Sequence, residues 1–255
     1  MTTAGKKRRA GRWYLPGILY DAILERPLVG IRKKVRALIE EEDLYPLVDI
    51  CCGPGAQLAS LVRVDRTVVR LGQTAARPAT RPDPSLGEPV AASSPNVPGC
   101  ERTAFGLDIN FKFVRYASAR RPTIPFICAD ASRLPVRPGA FRGALLSFAL
   151  HEQEPDVRRQ FIDAAASILA PGGRLLLVDF ENPWDRKSRV ARLYVSVIER
   201  LAGAQHFRLN RDFFRRGGLR ALLTANGLTE VRRHDVAAGT CAIVLAAPRA
   251  NVARL

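Results

Sequence analysis

A doubly wound α/β domain, with a mostly parallel sheet covered by helices on both sides, is the fold class this sequence predicts. The first observation is the stretch Leu47-Val48-Asp49-Ile50-Cys51-Cys52-Gly53-Pro54-Gly55. This apolar strand reaches an acid and then enters a tight Gly-x-Gly turn, the place where open α/β sheets take their ligands. The second is the alternation of strand-like and helix-like segments from residue 47 to 180, which calls for crossover helices between parallel strands. The third is RLLLVDF at 174–180, apolar almost throughout and so suited to a central strand buried on both faces.

Residues 1–12 read as a disordered basic leader and 13–44 as an N-terminal helical extension. Within the extension, Ile18, Leu19, Ile23 and Leu24 suggest a short helix that Pro27 breaks. A second helix follows, with Leu28, Ile31, Val35, Leu38 and Ile39 at helical spacing and Arg32, Lys33, Lys34 and Arg36 on the other side. The main domain is expected over 45–247. LVDIC leads to a helix from about Ala56, and AFGLDI at 104–109 leads to a helix carrying Phe111, Val114 and Tyr116. PFICA at 125–129 and GALLSF at 143–148 supply further strands. The helix Pro155–Ala170 opens on a proline suited to its first turn, aligns Val157, Phe161, Ala165, Ile168 and Leu169, and is stopped by Pro171-Gly172-Gly173.

Two helical stretches are expected at 187–203 and 211–225. The segments LTEVRRHDV and TCAIVLAA are then joined through Ala237-Ala238-Gly239, too short for a crossover helix, so they should pair antiparallel. Residues 248–255 form a tail. Between Leu71 and Cys100 lie six of the chain's 18 prolines with little apolar content, the composition of a flexible surface insertion over 71–102.

The formal charge of +16 brings acidic partners into consideration. Lys6, Lys7, Arg8, Arg9 and Arg12 all precede the first acid, Asp21, and this basic N-terminus offers a peripheral contact for an anionic membrane or nucleic acid. The remaining excess is scattered, with arginine pairs at 120/121, 158/159, 215/216 and 232/233 and little aromatic interleaving for base stacking. A solvated basic surface and an anion-facing patch are both open readings. Cysteines 51, 52, 100, 128 and 241 contain no C-x-x-C and no metal-like Cys/His spacing, so neither a zinc site nor a disulfide framework is indicated, and a reducing cytoplasm is expected. Asp21, Glu25 and Arg26 interrupt the apolar WYLPGILY region, so neither a signal peptide nor an integral membrane segment is expected.

The glycine turn lacks the third glycine or alanine of a dinucleotide fingerprint, Leu58 standing there, and no G-x-x-x-x-G-K-[ST] loop occurs. What the chain resembles instead is the class I S-adenosylmethionine-dependent methyltransferases. LVDICCGPG is similar to their first motif, although Cys51 stands where a glycine is usual. GLDIN at 106–110, ICADASRLPV at 127–136, SFALHE at 147–152 and ILAPGGRLLLVDF at 168–180 resemble the later motifs, in order. The resemblance implies a Rossmann-like seven-stranded sheet, six strands parallel and the last antiparallel, with S-adenosylmethionine as cofactor.

It also implies roles for single residues. Gly53 and Gly55 would admit the methionine and ribose parts of the cofactor, and Asp49 would organise its amino group. Asp108 would accept hydrogen bonds from the ribose hydroxyls. Asp130 would accept from the adenine amino group, with Ala131 offering a backbone N–H to the ring. Taken singly, each of these acids reads first as a cap or turn residue, and it is the three together at the ends of successive strands that point to a binding role.

Cys51 and Cys52 read as small packing residues at the end of a central strand. His151, with Glu152 directly after the fourth strand, is a candidate catalytic base for a protonated acceptor, and a helix-entry residue otherwise. His206, Phe207, Phe213 and Phe214 fall in a region that often roofs the acceptor pocket in the family, while the phenylalanines also suit a core. Trp13, Tyr14 and Tyr20 are candidates for an N-terminal lid. No metal is implied. YDAIL, ASRLPVRPGAF and ALHE look most like the quinone-ring C-methyltransferase group, so the expected acceptor is a small, lipid-like or quinone-type molecule. RNA methylation and a non-catalytic cofactor-binding scaffold are the alternatives.

Overall fold

A computed structural model of the chain describes residues 17–61, 103–182, 185, 186, 192, 200 and 204–248, with side chains from residue 28 onward. The expected leader, the whole insertion, most of the helix at 187–203, the tail beyond residue 248 and the lid aromatics lie outside the described residues or side chains. Seven strands form one sheet: β1 (Leu47–Ile50), β2 (Ala104–Asp108), β3 (Phe126–Cys128), β4 (Phe141–Ser147), β5 (Leu169–Phe180), β6 (Leu228–Val236) and β7 (Cys241–Pro248). Their spatial order is β3-β2-β1-β4-β5-β7-β6. Every pairing from β3 across to β5 is parallel, and β7 runs antiparallel to both β5 and β6. The doubly wound α/β sheet with a reversed last strand is therefore the observed fold.

The run Leu175 to Val178 is wholly buried, as are Leu47 and Ile50 of β1, because these central strands have helices over both faces. The strand order reverses between β1 and β4, which lie side by side with Ile50 opposite Leu146. At such a switch point the connections leave in opposite directions, and a crevice opens beyond the carboxyl ends of the strands.

Helix α1 (Gly17–Glu41) runs through Pro27 instead of ending there. The missing N–H removes one helical hydrogen bond, while Ile31, Val35, Leu38 and Ile39 anchor the following turns in the core. Arg32 is buried too, and does not stand on the solvent face with Lys33 and Lys34, because it shares a helical face with Val35 and Ile39. The short α2 (Ala56–Ala59) follows the glycine turn. In α3 (Phe111–Arg120) the buried face is Phe113, Val114 and Ala117, leaving Phe111 exposed. Helix α4 (Pro155–Ser167) starts on its proline as expected.

Pro171-Gly172-Gly173 lies inside β5, where the register jumps from Leu169 opposite Phe141 to Arg174 opposite Gly143. The segment is thus an irregularity in a paired strand, more than a terminator between helix and strand. The expected single helix over 211–225 is two, α5 (Ala204–Arg215) and α6 (Gly218–Ala225), separated at Gly217 with φ 102°. Among the described residues no helix is long and apolar enough to cross a membrane.

Candidate active site

Beyond β1 the chain turns back sharply over the edge of the sheet. Cys51 adopts φ 62°, Gly53 φ 56° and Gly55 φ 80°, all left-handed. A Cβ on Gly53 would meet nothing within 4 Å, so this glycine borders open space. Gly55 differs, since a Cβ there would lie 2.7 Å from the Phe126 ring. Packing against β3 thus demands that glycine independently of any ligand.

Asp108, at the end of β2, fastens this turn. Its Oδ2 accepts from Gly53 N at 2.8 Å and its Oδ1 from Asn110 N at 2.7 Å. Burial pushes its carboxyl up from the ordinary range, while the two N–H groups pull the other way. Asp49 is buried within β1; burial, with the Asp108 charge added, pushes it up to about 8, opposed by the charge of Arg32 from α1. Asp130 is exposed, and its Oδ1 accepts from both the N–H and the hydroxyl of Ser132 at 2.8 Å, while Ala131 is buried beside it.

The Cys51 thiol is pushed well above its usual range by burial and then by the charges of Asp108, Asp49, Glu152 and Asp130. Cys52 is raised by burial, then Asp49 and Asp108. Neither thiol is a ready nucleophile. The same electrostatics reveal that carboxylates in or just after β1, β2, β3 and β4 act together on one atom. In a chain of formal charge +16 the carboxyl edge of the sheet is locally acidic.

On the other side of the switch point, Phe148 follows β4 at φ 53°, with its N–H donating to Val178 O at 2.7 Å. The turn brings His151 inside, 2% exposed, with Nδ1 2.7 Å from Asp179 Oδ1. Asp179, fully buried near the end of β5, also accepts from the N–H groups of Leu150 (3.0 Å), His151 (3.2 Å) and Phe180 (2.8 Å). Asp179, already an acceptor for three N–H groups, favours the tautomer in which His151 donates its Nδ1–H to it and keeps the lone pair on Nε2. That Nε2 stands 3.7 Å from Glu152 Oε1, and the same oxygen is 3.7 Å from His206 Nε2 on α5.

Arg158 of α4 holds these pieces together. Its buried guanidinium donates to Leu150 O, Asp212 Oδ2 and Leu209 O, each at 3.0 Å. One side chain therefore joins the turn bearing His151 to the helix bearing His206. Phe213 and Phe214 are core residues, and Phe214 packs on Phe180 at 5.7 Å between ring centroids.

The residues expected to bind the cofactor or act as base fall toward the carboxyl edge in two groups: Asp49 within β1, Asp108 ending β2, and Gly53, Gly55, Asp130 and Ala131 in the turns after β1 and β3, with His151 after β4. Sequence reasoning passes over Asp179, Arg158 and the meeting of His206 with Glu152. The one available signal is Asp179 itself, an acid inside a run otherwise buried on both faces, which must find donors.

Residues 87–173 match the protein family described as Methyltransferase domain. A demethylmenaquinone methyltransferase of Paenarthrobacter aurescens (strain TC1) is 31% identical over 121 residues, 47% of this chain and 44% of the relative. The chain spans less than half the length of the curated relatives it matches. Among solved structures, the mitomycin 7-O-methyltransferase MmcR aligns with a TM-score of 0.58 at 15% identity, over 91% of this chain and 57% of that one. The N-methyltransferase NodS from Bradyrhizobium japonicum WM9, solved with S-adenosyl-L-homocysteine, aligns with a TM-score of 0.50 at 15% identity, over 85% of each chain. At such identities the likeness is one of fold. Residues 87–173 are thus similar to a methyltransferase domain, and the seven-stranded sheet with its reversed last strand shares the fold of these solved structures.

Proposed function

We propose that this chain transfers the methyl group of S-adenosylmethionine to a small, lipid-like acceptor, a quinone-type ring in its reduced form. The observation that carries the reading is the acidic carboxyl edge around the glycine turn, in an otherwise basic chain: it suits a donor that is a sulfonium cation with an ammonium group. The residues present fit that cofactor. The Cβ position of Gly53 opens into space, and the buried Nδ2 of Asn110, next to Asp108, has no hydrogen-bond partner among the described residues and would gain one from a ligand at the end of β2.

When bound, S-adenosylmethionine supplies an electrophilic methyl group on sulfur, displaced in line by the acceptor. Asp108 keeps the turn in place through Gly53 and has lone pairs left for the ribose hydroxyls. Asp49 would hold the amino group, Asp130 and Ala131 would hold the adenine, and Gly55 keeps the turn packed on β3. His151 brings the acceptor to its deprotonated, nucleophilic form, working through the Nε2 lone pair that Asp179 sets by holding Nδ1. The names of the curated relatives support a quinone-type acceptor. The thiols suit a reducing cytoplasm.

The test is calorimetric titration of the purified protein with S-adenosylmethionine, followed by transfer of a labelled methyl group to reduced naphthoquinones with and without a prenyl tail, to a metabolite pool and to RNA. Binding with labelling of the reduced quinone is expected. Salt-sensitive labelling of RNA alone would favour the reading that the charge of +16 supports. Binding without turnover would leave a scaffold, and failure to bind the cofactor would overturn the proposal.

A further inference from the structure

Two of the chain's three histidines meet on the acceptor side of the sheet edge, although they are far apart in sequence. His151 Nε2, a Glu152 carboxylate oxygen and a His206 ring nitrogen all lie within 4.8 Å of one another. Their exposure is graded: His151 is buried, His206 is intermediate and Glu152 is exposed. The donor set is thus buried on the His151 side and reaches solvent on the Glu152 side. The two rings stand edge to face, 79° apart with centroids 5.5 Å apart, which lets both nitrogens address one point without stacking.

We infer that His151, Glu152 and His206 bind a divalent first-row transition cation, with zinc the best match to the donor set, and that the cation holds the acceptor's oxygen. This inference rests on the reading of the site as that of a methyltransferase and names how the acceptor is activated there.

Three observations carry it. The donor set is two imidazoles and one carboxylate, which suits zinc and its neighbours and leaves coordination positions for another ligand. Two of the three separations are near what an ion needs. The imidazole nitrogens, within 4.8 Å of each other, close on it by a small inward shift of the half-buried His206. Donors about 2.1 Å from a common ion stand about 3.4 Å apart in a tetrahedron, and the two Glu152 separations are both 3.7 Å. Finally, the buried ligand already has its outer partner. Asp179 Oδ1 lies 2.7 Å from His151 Nδ1, the carboxylate–imidazole pairing that fixes ring and tautomer behind a metal. Asp179 is itself fixed by three backbone N–H groups. Arg158 holds α5, and so His206, against the same turn.

The chemistry balances without an added oxidant or reductant. The acceptor's hydroxyl oxygen occupies an open position on the cation and releases its proton to solvent. The resulting oxyanion, or the ring carbon conjugated to it, forms the new bond to the methyl carbon. Where carbon is methylated, the hydrogen already on that carbon then leaves as a proton to solvent, its bonding pair restoring the aromatic ring and the oxyanion. The carbon–sulfur bond breaks with its electron pair going to sulfur, and the charged sulfonium becomes a neutral thioether. A proton shared by His151 and Glu152 between the same atoms is the rival arrangement.

The test is spectroscopic. Chelator-treated, reduced full-length protein is titrated with cobalt(II) alone, whose visible d–d bands report its ligands. One equivalent should bind with a four- or five-coordinate spectrum and without thiolate charge-transfer absorption, and zinc should displace it. His206→Ala and Glu152→Gln should each weaken binding at least tenfold, and Asp179→Asn by about 10- to 100-fold. Should Glu152→Gln fold poorly, His206→Ala decides, since His206 lies at the surface of α5. No site tighter than about 100 μM, or cobalt binding that His206→Ala leaves unchanged, overturns the inference. Cofactor affinity of the same chelated protein keeps the two readings separable. Cofactor binding and turnover without cobalt binding sinks the metal alone, and cobalt binding without cofactor binding sinks the methyltransferase reading.

Discussion

β1 and β4 are neighbours in the sheet, and each is followed directly by a non-glycine residue in left-handed backbone, Cys51 at φ 62° and Phe148 at φ 53°. Beyond these two turns the surroundings are opposite in kind. Around the end of β1 the chain gathers carboxyl groups whose ionisation burial opposes, with Asp49 pushed up to about 8 and Asp108 raised. After β4 one carboxylate, Asp179, receives three backbone N–H groups and an imidazole. The first half is electrostatically unfinished and gains from an incoming cation. The second is internally satisfied at its back and offers nitrogen and oxygen donors at its front. In the proposed function, the first side receives the positively charged methyl donor and the second activates the group that accepts the methyl.

The contrast breaks most directly at Asp108. Asp108→Ala removes the acceptor of Gly53 N together with the proposed acceptor of the ribose hydroxyls, and hydrogen bonds to a charged group contribute about 1.5–3 kcal/mol each. The dissociation constant for S-adenosylmethionine should rise about 100-fold or more by calorimetry. A change under about fivefold would mean that the cofactor sits elsewhere.

The next largest effect lies on the other side. His151→Gln should lower the rate of methyl transfer about 100-fold and leave the cofactor dissociation constant within about twofold. Equal losses in binding and rate would erase the distinction between the halves. Asp179→Asn should follow His151 in rate, and its pH–rate profile should shift, because an amide can present its N–H to Nδ1 and favour the other tautomer.

Asp49 predicts a smaller effect with a definite sign. Its folded value lies above the usual carboxylate range, so the native state holds a proton that the unfolded chain gives up. Stability from this group is therefore greatest at low pH and declines as pH rises from about 4 to 8, levelling off above. A bound cation favours the ionised form, so cofactor binding should release a proton. Affinity should rise with pH, up to about tenfold per unit, and flatten above about 8. Asp49→Asn should flatten the curve from the start, and calorimetry in buffers of different ionisation enthalpy counts the proton. An unchanged slope in Asp49→Asn would assign the proton to another group.

The same contrast between local and long-range contacts governs how much of the molecule is legible before folding. LVDI, the acid of GLDIN and the apolar run at 174–180 are local patterns, set by strand period and strand-end chemistry, and they locate the sheet and its first half. Gly53 and Gly55 look alike in sequence, yet one faces space and the other the Phe126 ring, a contact made by a distant strand. Pro27 carries a breaker signal that tertiary packing of the next turns overrides. Arg32 reads as solvated because charge pattern alone cannot show that its face turns inward toward Asp49. His151 is legible as a candidate through its place after β4. Its partners Asp179 and His206, and the Arg158 clamp, arise from long-range pairings that leave no local trace.

The smallest effect tests the two strained turns against each other. A left-handed conformation costs a non-glycine residue about 1–2 kcal/mol, and glycine offsets part of that by its freedom in the unfolded chain. Cys51→Gly should therefore raise stability by up to about 1 kcal/mol in chemical denaturation. Phe148→Gly should lower it by about 2 kcal/mol, because the relief is outweighed by losing the ring, which packs edge-on against Phe180 at 5.8 Å between centroids. Cys51 already holds the backbone that a glycine would adopt, so Cys51→Gly should leave the cofactor dissociation constant within about threefold. A tenfold gain in affinity would mean that the thiol itself intrudes on the cofactor, and that the departure from glycine at this position weakens binding through its side chain, with backbone geometry unaffected.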